Sequence, residues 1–227
     1  MLHDACETQA DNWTRWAREP NFDSYWVFHR EHFLALLPPP GRLTLDVGCG
    51  EGRVTRDLRA LAHRVVGVDA APSMVAAARD VDPGGEYLVA DAAELPFEDG
   101  SADLVVSFMS LMDMEDMPAA VREIGRVLTQ GGRLLAAVAH PVNTAGSFAE
   151  DGRFRTDSYL ERRRVTDDIE RDGLVMIFHA RHLILEDYSR ALEAAGLVFE
   201  GFREIYNEED PRWHRVPLFL DFRAVRQ

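Results

Sequence analysis

Three features of the chain predict its fold class: short apolar strands alternating with helical stretches, a glycine-rich loop directly after the first strand, and aspartates at successive strand ends. Together they predict an α/β fold, a doubly wound, mostly parallel seven-stranded sheet with helices on both faces. The loop lies in the run Leu43 to Arg53, LTLDVGCGEGR, where a strand ending on Asp46 opens into Gly48, Gly50 and Gly52. A backbone without side chains can approach a ligand closely and turn sharply into the following helix. Such a loop indicates a nucleotide-like cofactor.

Each element follows from local pattern. Leu43 to Val47 reads as the first strand, and Arg53 to Leu61 has helical spacing through Val54, Leu58 and Leu61. His63 to Val68 is a second strand ending on Asp69, and Pro72 to Arg79 is a helix with proline in its first turn. Tyr87 to Ala90 is a third strand ending on Asp91, and the turn residues Glu98, Asp99 and Gly100 introduce a fourth, Asp103 to Ser107. Pro118 to Leu128 places Val121, Ile124, Val127 and Leu128 on one helical face; Gly131 and Gly132 then stop that helix and release the strand Arg133 to Ala139.

The last third departs from this rhythm. Pro141 to Gly173 is polar, arginine-rich and weakly periodic, which indicates an inserted cap. Glu186 to Ala195 reads as a helix closed by Gly196, and Leu197 to Ile205 and Leu218 to Val225 make an antiparallel pair at the sheet edge. The expected organisation is one domain over 1–227. It comprises an N-terminal helical lid (1–40), a cofactor-binding core (41–139), a cap or acceptor insertion (140–180), and a C-terminal helix with its strand pair (181–227).

Composition narrows the function. The chain has 227 residues, 46% of them hydrophobic, enough to bury the core of one domain. Its net charge is −14 and its basic residues are all arginine, which argues against a nucleic-acid partner because binding to phosphate backbones is driven by positive charge. Arg162, Arg163 and Arg164 read as a solvated face or a local anion site. No apolar run approaches the ~20 residues of a membrane helix. The N-terminus MLHDACETQADNW carries acids where a secretory signal carries basic residues, so a cytoplasmic location is expected, with no membrane partner. Cys6 and Cys49 do not suggest a disulfide framework.

The acids at the strand ends carry the cofactor chemistry. In an open parallel sheet the ligand sits beyond the carboxyl ends of the strands. Asp69 follows the loop at the distance expected of an acid that accepts from ribose hydroxyls, and Asp91 is placed to meet an adenine amino group. Singly, each could be a helix cap. A dinucleotide fingerprint needs a small residue where this chain has Arg53, which weighs against a pyrophosphate crossing the helix start.

The ordered segments DVGCGEGR, VVGVDAAPSMV, VADAAELPFEDGSADLVVSF and EIGRVLTQGGRLL resemble the motif series of class I S-adenosylmethionine-dependent methyltransferases, over Leu43 to Ala139. Gln130 departs from the proline that many relatives carry. The resemblance implies a Rossmann-like methyltransferase fold with S-adenosyl-L-methionine as cofactor and S-adenosyl-L-homocysteine as product. It implies that Gly48 and Gly50 line the methionine moiety, with Asp46 orienting the loop or the cofactor's amino group. Asp69 would bind the ribose, Ala70 and Met74 would flank the adenine, and Asp91 with the Ala92 amide would read its edge. Ser107 and Phe108 would fall on the sulfonium side. The segments AVAHPVNTAGSF, HLILEDYSRALEAAGL and VPLFLDFRAV resemble a bacterial subgroup acting on small molecules, which implies a small-molecule acceptor and a place in secondary metabolism. Leu183 stands after His182 where that pattern has arginine.

In-line methyl transfer is chiefly a matter of positioning, worth roughly 7–11 kcal/mol. A protonated oxygen or nitrogen acceptor, less readily a carbon one, also needs a base. His140 at the end of the fifth strand is the first candidate, with His179 or His182 from the cap region as others. His179 and His182, like His29 and His32, are three apart and could share a helical face, but no third ligand accompanies them and no metal is expected. Of the N-terminal aromatics Trp13, Trp16, Phe22, Tyr25, Trp26 and Phe28, Trp13 or Trp16 is expected at the cofactor or acceptor, where an aromatic face attracts a sulfonium. Phe148, Phe154 and Tyr159 are candidates for lining the acceptor pocket. The alternatives are a nicotinamide-dependent oxidoreductase, disfavoured by Arg53 and by the absence of any lysine, and a methyltransferase-like protein that holds the cofactor without turnover. Neither the acceptor nor the oligomeric state is fixed by sequence.

Overall fold

The computed structural model describes residues 7–19 and 21–227, so Cys6 and the first residues of the expected N-terminal lid lie outside the described residues. The strands β1 (Thr44–Val47), β2 (Val65–Asp69), β3 (Glu86–Val89), β4 (Ala102–Phe108), β5 (Leu128–Ala139), β10 (Leu197–Ile205) and β11 (Phe219–Arg226) form one seven-stranded sheet in the order β10-β11-β5-β4-β1-β2-β3. Pairing is parallel from β3 through β5, and β11 lies antiparallel between β5 and β10. Strand order reverses between β1 and β4, where the connections leave to opposite sides and open a crevice above the carboxyl ends.

Helices cover both faces, which is why every residue of β1 is buried and its sequence TLDV carries no alternation. On one face, α3 (Arg53–Ala60) and the N-terminal segment pack Val54, Leu58, Tyr25 and Phe33 on Leu104, Val106 and Leu135. On the other, α5 (Met117–Val127) and α7 (Leu185–Ala194) pack Val121, Ile124 and Leu192 on Leu45, Val105 and Leu134. The helix α4 (Pro72–Val81) follows β2, its Pro72 in the first turn.

The N-terminal segment consists of α1 (Ala10–Arg18), a π-helical turn (Tyr25–His29) and α2 (Arg30–Leu34). It is tied to the far side of the sheet by a fully buried pair: His29 Nε2 lies 2.6 Å from Asp221 Oδ1 of β11. The histidine ring stacks on Phe219 and meets the edge of Phe108. Among the described residues no helix is long and apolar enough to cross a membrane.

Two sequence expectations change. The strand after α5 begins at Leu128, not after the glycine pair, and Thr129 to Gly132 form a bulge that shifts its register on β4. The inserted segment contains regular structure: a short α6 (Pro141–Thr144), a hairpin of β6 (Gly146–Phe148) with β7 (Phe154–Thr156), and a longer hairpin of β8 (Arg163–Arg171) with β9 (Leu174–His182). The turn of the longer hairpin is Asp172-Gly173, both at positive φ, the conformation that matches strand twist. One side of β9 buries Leu174 and Met176, which join Trp16 and, with Phe178, roof the sheet over α1. Strand β8 is mostly exposed and buries none of its residues, so it carries no apolar alternation and the segment reads as irregular.

The arginine triplet does not form a free basic patch. Arg162 pairs with Asp187, Arg163 donates to the Ser158 and Thr144 carbonyls, and Arg164 lies 3.1 Å from Glu115.

Candidate functional site

The crevice is built first from backbone. Gly48 takes φ +77°, and a Cβ there would stand 2.4 Å from the Ser110 Cβ, so only glycine fits. Ser110 is held in place from two sides, its Oγ donating to the Val47 carbonyl at 3.0 Å and sharing a 2.6 Å hydrogen bond with Ser107. Gly50, at φ +54°, donates its amide to Asp69 Oδ2 at 2.8 Å, while Asp69 Oδ1 accepts from the Ala71 amide at 2.9 Å. The acid at the end of β2 therefore joins the glycine loop to the start of α4. Each carboxylate oxygen accepts one of these amides.

Asp46 lies beneath the loop. Its Oδ2 accepts from Thr55 Oγ1 at 2.6 Å, and its Oδ1 is buried without a partner. Burial pushes the Asp46 carboxyl up to about 7, against the opposing hydrogen bond from Thr55. The folded state thus holds the proton more tightly than the unfolded chain, so this group's contribution is complete below about pH 4 and is lost as pH rises through about 7. Over that window we expect the protein to lose up to about 4 kcal/mol of stability to this group. Urea denaturation of the ligand-free protein between pH 4 and 8 checks this: Asp46→Asn should flatten the slope, and an unchanged slope would contradict it.

On the other flank, Met74 is buried with Ala10 and Ala71 and touches Trp13, while Ala70 is exposed at the rim. Asp91, just beyond β3, is exposed and accepts the Ala93 amide at 2.8 Å, and Ala92 beside it is half-buried. A second unpartnered buried acceptor, Gln9 Oε1, precedes α1. Left-handed glycines, an acid at the rim of β2 and an unpartnered buried carboxylate oxygen together fit a ligand bearing a ribose and an amino group.

The comparisons with known proteins agree with this geometry. Residues 45–136 match the family described as a methyltransferase domain. A solved S-adenosylmethionine-dependent methyltransferase from Mesorhizobium loti superposes with a TM-score of 0.72 at 26% identity, covering 92% of this chain and 100% of that one. Over this core the chain has the fold of the S-adenosylmethionine-dependent methyltransferases and matches their domain model. Among curated relatives, the malonyl-(acyl-carrier protein) O-methyltransferase of Serratia marcescens is 35% identical over 50% of this chain and 43% of its own length. The 2-methyl-6-phytyl-1,4-hydroquinone methyltransferase of Synechocystis is 31% identical over 70% of this chain and 48% of its own. The chain thus spans about half the length of these relatives. The family's cofactor is S-adenosylmethionine, and the residues of the crevice fit it.

Within this methyltransferase fold, several side chains take roles other than those expected. Ser107 is fully buried beneath the loop and meets Ser110, so it supports the cradle instead of facing the crevice. Phe108, 5% exposed, packs its ring among Tyr25, His29 and Phe33. Trp16 turns away from the loop into the roof, against Phe22 and Phe178. Its helical neighbour Trp13 takes the position by the loop, with Nε1 3.4 Å from where a Gly50 Cβ would stand.

Of the three histidines proposed as base, His140 and His182 present no free nitrogen, while His179 on β9 has only a 3.5 Å contact from Nδ1 to Thr166 Oγ1. His140 Nδ1 accepts the Val142 amide at 3.1 Å, capping α6, and Nε2 points to Glu204 at 3.2 Å. Burial lowers its pKa, opposed by the Glu204 charge. His182 is fully buried, with Nδ1 2.7 Å from Thr144 Oγ1 and Nε2 2.8 Å from the Tyr159 carbonyl. It fixes the insert to α6. His179 and His182 lie on a strand, where a spacing of three places them on opposite faces, so the shared helical face does not exist. In the insert, Phe148 packs on Phe154 and Trp213, and Tyr159 lies beside His182 and accepts the Leu185 amide. Ser110 and Thr55 were missed by sequence reasoning; each is visible only through the atom it holds.

Proposed function

We propose that this chain transfers the methyl group of S-adenosylmethionine to an oxygen or nitrogen nucleophile of a small-molecule acceptor. The observation that carries the reading is the clamp of Asp69 on the Gly50 and Ala71 amides beside the Gly48 cradle, which fixes a carboxylate at the end of β2 against the glycine loop. When bound, the cofactor supplies an electrophilic methyl on a sulfonium that leaves as a neutral thioether. Gly48 and Gly50 hold the amino-acid part, with Asp46 below them. Met74 and Ala70 border the base, and Asp91 and the Ala92 amide meet its edge. Helix α1 borders the loop through Trp13.

Because His140 and His182 are both engaged, the chain performs the transfer by alignment and takes acceptors that bring an available lone pair, such as a carboxylate, a phenolate or a neutral amine. The name of the Serratia relative specifies methylation at oxygen, which favours an oxygen nucleophile here. The test incubates the protein with S-adenosylmethionine and a panel of carboxylic acids, phenols and amines, reading S-adenosylhomocysteine release and product mass. Methylated product from an oxygen or nitrogen acceptor is expected. Tight S-adenosylhomocysteine binding without product across the panel would favour a non-catalytic cofactor holder, and reduced nicotinamide binding in its place would overturn the family reading of the crevice.

A further inference from the structure

Arg53 opens α3 directly after the glycine loop and is only 6% exposed. A guanidinium carries five donors in a planar fork and is rarely buried without partners. This one is under-satisfied. Among the described residues its one ion pair, Nη2 to Asp23 Oδ2, is long at 3.5 Å, and its Nε has no partner. Asp23 is itself committed, since its Oδ1 accepts the Tyr25 amide at 2.8 Å. Three aromatic rings also surround the guanidinium, Trp13 at 4.9 Å, Tyr25 at 5.6 Å and Phe108 at 5.7 Å from Cζ to the ring centroids, and its charge is felt by the Asp46 carboxyl. These rings favour a cation but accept none of its hydrogen bonds through lone pairs.

The location gives this unused capacity a meaning. Trp13 reaches Gly50, and Phe108 ends β4, so the guanidinium sits where α1, the loop and the end of β4 meet. A buried charge with unused donors is costly unless something completes it. We propose that Arg53 is a carboxylate-binding residue of the crevice, its fork completed by a carboxylate that a ligand brings in. Planar bidentate pairing with a carboxylate is the chemistry arginine serves best, and the aromatic walls exclude the water that would weaken it. The carboxylate comes either from the amino-acid end of the cofactor or from an acceptor that bears one. The inference rests on the reading of the crevice as an S-adenosylmethionine site.

Titration calorimetry on the whole chain separates these sources with three probes. S-adenosylhomocysteine carries the carboxylate, 5′-methylthioadenosine is a nucleoside thioether without it, and malonate, added to protein saturated with S-adenosylhomocysteine, stands for a carboxylate acceptor. If the cofactor supplies the carboxylate, Arg53→Met weakens S-adenosylhomocysteine by about tenfold or more and leaves methylthioadenosine within about twofold. If the acceptor supplies it, both nucleosides are unchanged and malonate binding is lost. Arg53→Lys, which keeps the charge but not the fork, should show the same pattern at smaller amplitude and serves if the methionine variant does not fold. Unchanged binding of all three probes, or equal weakening of the two nucleosides, overturns the proposal. Failure of the parent chain to bind either nucleoside overturns the underlying cofactor reading instead.

Discussion

Asp69→Ala is expected to lower S-adenosylhomocysteine affinity by about a hundredfold or more. Charge-assisted hydrogen bonds are worth roughly 1.5–3 kcal/mol each, so two from ribose hydroxyls amount to about 3–6 kcal/mol. The same carboxylate holds the Gly50 and Ala71 amides, so its removal also frees the loop that shapes the site. Asp69→Asn keeps one acceptor oxygen and should fall between alanine and the parent. Calorimetric titration reads both, and affinity within about threefold of the parent for the alanine variant would remove Asp69 from the ribose site.

Gly48→Ala should damage both stability and binding. The new Cβ would stand 2.4 Å from the Ser110 Cβ and 2.5 Å from its Oγ, at a φ of +77° that side chains rarely adopt. Ser110 has no easy retreat, since the Val47 carbonyl and Ser107 both hold it. Backbone strain of this kind costs about 1–3 kcal/mol and overpacking a similar amount, which for a chain of this size predicts a fall in Tm of about 5–15 °C. Adding Ser110→Gly should recover the overpacking part and leave the backbone part. A Gly48→Ala protein that melts with the parent would mean the cradle is looser than its geometry.

Much of this site was legible because its chemistry is local. The glycines at 48 and 50 are readable because only glycine turns at positive φ without strain, and Asp69 because an acid directly after a strand has few places to be. Loss of legibility began where a role depends on residues far apart in the chain. His140 reads as a base until its ring nitrogen is seen capping α6, and His182 until Thr144 and the Tyr159 carbonyl are seen at its two nitrogens. Trp13 and Trp16 are indistinguishable by pattern; the packing of β9 decides which enters the roof. The longer hairpin is concealed by a mostly exposed β8, although Asp172-Gly173 is the turn signal that marks it.

The sequence by itself determined the doubly wound sheet, the glycine loop after β1 and the acids at the ends of β2 and β3, because hydrophobic period, glycine conformation and strand-end position act within a few residues. Tertiary structure alone decided which side chains remain free to meet a ligand. Arg53 shows the difference. In the sequence it is a bulky residue that argues against a dinucleotide; in the fold it is a buried cation between Trp13, Tyr25 and Phe108 with donors unused. Hydrogen-bond satisfaction is set by every neighbour around an atom, and those neighbours come from α1, the π-helical turn and β4, which only folding brings together.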